Sequence, residues 1–115
     1  MTSQRDADLS VLVSVYSRSE GPSVARALHR IRNSLTAGAY LSGEQFDAAI
    51  RKLQDLGMIE LRKGEEPSLE IKDHGANWLM ANFHWVPGDR HVLKANSDDW
   101  IMTSLDGSAS SVGND

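Results

Sequence analysis

The chain of 115 residues contains no cysteine. That excludes disulfides and thiolate metal sites, and it fits a reducing compartment. Long apolar runs are missing too: nothing approaches the ~18 consecutive apolar residues that a membrane-spanning helix needs. The opening residues, MTSQRDADLS, hold no basic segment followed by an apolar one. A secretory signal is therefore not expected, no membrane partner is expected, and the cytoplasm is the expected location. Positive charge is scarce. Lys and Arg number 12 against 16 Asp and Glu, for a net charge of −4. Such a balance argues against a generic polyanion binder. The imbalance is local, however. Beyond Phe83 five Asp face only Arg90 and Lys94, while acids and bases nearly cancel before it.

Catalytic signatures are absent as well. The chain has no phosphate-cradling glycine loop, no Gly-x-Ser-x-Gly and no helical histidine pair for zinc. No enzyme activity and no cofactor are expected. His84, Asp89 and His91 flank Pro87-Gly88 and could approach a metal, but two histidines near an acid often occur by chance. No metal site is assigned.

What the sequence does contain is periodicity. Residues 1–7 are polar and expected to fray. Asp8 is a candidate cap for a first helix reaching about Ser19, with Leu9, Leu12, Val13 and Tyr16 on one face. A strand is the rival reading, because Leu9, Val11, Val13 and Val15 alternate. Gly21-Pro22 interrupts the chain. Ser23 then caps a second helix, in which Val24, Leu28, Ile31 and Leu35 recur at helical spacing. Its other side carries Arg26, His29, Arg30 and Asn33, with Arg32 on the flank.

The clearest signal lies between Leu41 and Leu79. Ser42 with Gln45 three residues on forms a capping-box pattern. Phe46, Ala49, Ile50, Leu53 and Leu56 make the buried stripe of a third helix, and Gly57 ends it. Ile59 and Leu61 alternate with charged residues, the turn Lys63-Gly64-Glu65-Glu66-Pro67 follows, and Leu69 and Ile71 supply the returning strand. Asp73 is a candidate cap for a fourth helix that turns Trp78, Leu79 and Phe83 inward. These elements predict an α+β, mainly α, domain over residues 8–83. Residues 84–105 form an irregular or strand-like extension packing on the domain, and the Ser/Gly-rich residues 106–115 are expected to be disordered.

Ser42, Leu53, Gly57-Met58-Ile59, the hairpin, Ile71 and Gly75 together resemble the bacterial winged-helix regulators, broadly of the PadR-like or MarR-like kind. The resemblance is confined to residues 41–79. Lys72 stands where those regulators usually have threonine, and the chain after Phe83 is unlike their long dimerisation helix. The resemblance implies a winged helix of three helices, a two-stranded hairpin wing and a fourth helix. It also implies that the third helix enters the major groove of double-stranded DNA and that the protein regulates transcription.

On that reading Arg26, Arg30 and Arg32 neutralise phosphates. Gln45, Arg51 and Lys52 meet the groove, and Ser42 anchors the helix start by a backbone contact. Arg62 and Lys63 serve the wing. A homodimer through helix one or the extension adds affinity. The same residues leave another reading open, a protein-interaction module. Glu44, Asp47 and Asp55 would then face a basic partner, or the basic side of helix two an acidic one. Arg51 has Asp47 four residues before it and Asp55 four after, so intrahelical pairing is available on both sides.

Overall fold

A computed structural model describes residues 2–16, 25–89 and 92–103. The fold is α+β, with four helices and small antiparallel sheets. Helix α1 (Gln4–Val15) begins earlier than the sequence implied, because Ser3 rather than Asp8 is its cap. The Ser3 hydroxyl accepts from the Asp6 N–H, satisfying one of the donors that a helix start leaves without partners. Asp8 instead lies within the helix, only 1% exposed. Among the valines, Val11 and Val15 are buried with Leu12, so helical rather than alternating periodicity governs this segment.

The second segment also departs from expectation. Arg26 and Ala27 form a short strand, β1 (Arg26–Ala27), and helix α2 (Leu28–Thr36) starts only after it. Ser23 and Val24, the expected start of this helix, lie outside the described residues. No side chain caps α2; its first N–H, that of Leu28, donates to the Pro67 carbonyl at 2.9 Å. The end of the hairpin turn is thereby tied to the start of α2.

Helix α3 (Gly43–Asp55) follows the sequence closely. Ser42 and Gln45 form the capping box, and Phe46, Ala49, Ile50 and Leu53 are buried. At its other end Gly57 adopts φ 78°, a left-handed conformation that glycine takes at little cost. The Met58 N–H reaches the Leu53 carbonyl and the Gly57 N–H the Gln54 carbonyl, the two bonds of a Schellman ending.

Strands β2 (Ile59–Arg62) and β3 (Ser68–Ile71) then pair antiparallel, with Ile59 opposite Ile71 and Leu61 opposite Leu69. Strand β1 joins the far side of β3, so the sheet order is β1-β3-β2. Ile59, Leu69 and Ile71 face the core while Glu60 and Arg62 face outward, the period-two pattern of a half-buried sheet.

Helix α4 (Asp73–Asn82) is preceded by Lys72, not capped by Asp73, and its cap residue makes no side-chain bond. Asp73 sits in the first turn, where its charge complements the helix dipole. Gly75 lets α4 approach the start of the hairpin, since a Cβ there would stand 2.5 Å from the Met58 carbonyl oxygen.

The extension forms a hairpin of its own, β4 (Phe83–Trp85) with β5 (Leu93–Ala95), around the Pro87-Gly88 turn. Trp100 then returns to the core. Its ring lies 5.7 Å from Trp78, edge to face, and 5.7 Å from Phe83. The Trp78 indole N–H donates to the Ile101 carbonyl at 2.9 Å, so the buried ring keeps its polar atom satisfied. Trp85 stays half-buried and stacks on Tyr16 at 6.4 Å.

Candidate nucleic-acid interface

The outward side of α3 carries Glu44, Arg51 and Asp55, all exposed, with Ala48 half-buried between them. Four-residue spacing would pair Arg51 with Asp47. The structure pairs Asp47 elsewhere: its Oδ1 accepts from Arg32 Nη1 of α2 at 2.6 Å. Arg51 makes no ion pair among the described residues. The guanidinium of α3 is thus left available although acids flank it in the sequence.

Of the other residues singled out in the sequence, Arg30 on α2 and Lys63 in the hairpin turn are likewise exposed and outside the ion pairs of the described residues. The rest have local duties. Arg32 is held by Asp47. Lys52 lies 3.4 Å from the buried Asp8 carboxylate of α1. Arg62 binds the Glu70 carboxylate through Nε at 2.7 Å and Nη2 at 2.6 Å. Glu70 faces Glu60 across the ladder, so Arg62 offsets a like-charge cross-strand pair.

Gln45 and Ser42 form the capping box that their spacing predicts. Gln45 Oε1 accepts from the Ser42 N–H at 3.1 Å, and its Nε2 donates to the Thr2 carbonyl at 2.6 Å. The Ser42 hydroxyl accepts from the Gln45 N–H at 3.0 Å. Both polar ends of Gln45, and the N–H of Ser42 with its hydroxyl as acceptor, therefore help to fix where α3 starts. Their contribution is positional.

Arg26 is half-buried on β1 and lines a cavity of about 460 Å³ with Arg30, Ser14, Ser34 and Glu66. Glu66 brings an acid to this basic side, and His29 lies 3.4 Å from it. The basic stripe read from helix two is consequently divided among an exposed cation, an ion-paired one and a half-buried one.

His84 Nδ1 shares a 2.6 Å hydrogen bond with Asn96 Oδ1, and His91 lies outside the described residues. Among the described residues no cluster of three metal-ligating side chains occurs. No described helix is long and apolar enough to cross a membrane.

Reasoning from sequence missed Asp8 and its partners. The Gln4–Asp8 spacing on one helix face was the available signal, and Gln4 Nε2 does donate to Asp8 Oδ1 at 2.9 Å. It also missed Arg5, whose guanidinium lies 3.7 Å over the Trp100 ring. Comparison with protein-family models, with curated proteins and with solved structures finds no match to this chain.

Proposed function

We propose that the chain is a small cytoplasmic winged-helix protein that binds double-stranded DNA and regulates transcription, acting as a homodimer. The observation that carries the reading is the diversion of Asp47 to Arg32, with Arg51 on the outward face of α3 outside the ion pairs of the described residues. The element order supports it: α3 precedes the β2–β3 hairpin, and the hydrogen bond from Leu28 to Pro67 ties that hairpin to α2. In this reading α3 lies in the major groove, with Arg51 directed at base edges, where arginine favours guanine O6 and N7. Arg30 from α2 and Lys63 from the wing contact phosphates, which set register without reading sequence. So few cations give weak non-specific binding, and a homodimer presenting two α3 helices supplies the remaining affinity.

Fluorescence anisotropy of a labelled duplex at low salt tests this. Saturable binding that weakens on Arg51→Ala supports it, and an unchanged isotherm for that variant refutes the role of α3.

A second reading rests on a different observation. Glu44 and Asp55 are exposed on α3 while Lys52 is drawn away to Asp8, so the face offers more carboxylates than cations. A basic protein segment would suit it. Binding of a basic peptide, with no response to duplex DNA, favours that alternative.

A further inference from the structure

A small cavity of about 230 Å³ opens between α1, α3 and the segment after β5, lined by Arg5, Asp8, Lys52, Trp100, Ile101 and Met102. Its chemistry sets it apart from the DNA-facing surface. Asp8 is 1% exposed, and its Oδ1 accepts from Gln4. Its Oδ2 is shielded from solvent and receives no hydrogen bond among the described residues. The Lys52 ammonium stands 3.4 Å from that oxygen, close enough to attract it but without hydrogen-bond geometry. A shielded carboxylate oxygen in this state is costly, and a donor placed in the cavity would relieve it.

Arg5 is held in place on the other side. Its Nη2 donates to the Asp98 carbonyl at 2.8 Å and to the Trp100 carbonyl at 3.0 Å, and its guanidinium carbon lies 3.7 Å from the Trp100 ring centroid. The cavity thus presents two cations, one anion with an unused acceptor, and apolar surface from Trp100, Ile101 and Met102. An occupant with a single negative charge balances these groups, and a neutral donor beside that charge reaches Oδ2. An apolar branch covers the remaining wall.

We propose that this cavity binds a small α-hydroxycarboxylate with an apolar side chain. Its carboxylate sits between Lys52 and Arg5, and its hydroxyl donates to Asp8 Oδ2. Its branch packs on Trp100 and Met102. An α-amino acid would add a third cation beside Lys52 and Arg5, and a simple fatty acid would leave Oδ2 without a donor. The volume suits a ligand smaller than the drug-sized molecules that fill cavities of roughly 300–1,000 Å³.

The test is titration of the whole chain with α-hydroxyisocaproate and, separately, with isocaproate, which lacks only the hydroxyl. Tryptophan fluorescence and amide shifts at Arg5, Asp8, Lys52 and Met102 report binding. The hydroxy acid should saturate with a dissociation constant of order 1 mM, and isocaproate should bind at least ~10-fold more weakly. Lys52→Gln should weaken the hydroxy acid by ~10-fold with an unchanged far-ultraviolet spectrum. Asp8→Asn should abolish the preference between the two acids. If that variant does not fold, Lys52→Gln and the paired acids decide the matter. No saturable response below ~20 mM, equal binding of both acids, or full binding by Lys52→Gln would overturn the proposal.

Discussion

Arg32 on α2 and Asp47 on α3 meet at 2.6 Å, and this contact decides what α3 shows to solvent. Asp47 would otherwise lie within reach of Arg51, four residues on, and neutralise the cation that the proposed interface depends on. Both partners are about half exposed, so the pair contributes only ~0.2–1 kcal/mol to stability. Its consequence is therefore electrostatic more than structural. Arg32→Ala should leave unfolding free energy within ~1 kcal/mol of wild type yet weaken DNA binding, since Asp47 is released toward Arg51. Adding Asp47→Ala should restore much of the lost affinity. A denaturant titration and an anisotropy titration on the three proteins measure both effects.

Arg51→Ala removes the proposed base contact itself. The expected loss is ~1–3 kcal/mol in affinity for a preferred duplex, with relaxed discrimination at one base pair. Binding to a panel of single-base variants of that duplex checks both parts.

Arg30 and Lys63 act on phosphates in the proposed complex, so their removal should weaken all duplexes alike. Each alanine substitution should reduce the slope of log K against log salt by about 1. Anisotropy titrations across a salt series give that slope directly.

Gly75 should not tolerate a side chain. A Cβ 2.5 Å from the Met58 carbonyl oxygen collides with backbone that already accepts the Lys72 N–H at 2.8 Å. Gly75→Ala should therefore destabilise the fold by ~1–3 kcal/mol, as other overpacking substitutions do. Urea unfolding should show a lower midpoint at an unchanged slope.

The extension belongs to the core rather than decorating it. Trp100 contacts Trp78 and Phe83 at 5.7 Å and carries Arg5 on its face. Trp100→Ala should cost ~3–5 kcal/mol, the range of large-to-small aromatic changes in cores. Calorimetry should show one lowered transition, since loss of a separate unit would leave the main transition unmoved.

Helix α3 and the hairpin were legible because their signals agree at every level. Phe46, Ile50 and Leu53 keep the helical period, Ser42 and Gln45 mark the start, and Gly57 marks the end. Strand β1 was not legible, because two residues carry no period and their pairing with Leu69 and Ser68 is long-range. The start of α1 was hidden by its polar first turn. Asp8 has the residue type of a cap, but burial beside Gln4 and Lys52 defines its place. The exposed face of the candidate site could be read from a helical wheel. Which cations remain there could not, because Arg32 and Asp8 reach across from other helices to take Asp47 and Lys52.

Whether α3 meets DNA is read out by an amide-shift map of the labelled protein titrated with duplex DNA at low salt. Concerted shifts are expected along the outward side of α3 around Arg51, at Arg30 on α2 and at Lys63 in the hairpin turn. Shifts confined to other surfaces, or none at tens of micromolar DNA (affinities weaker than about 6 kcal/mol), would rule out this interface.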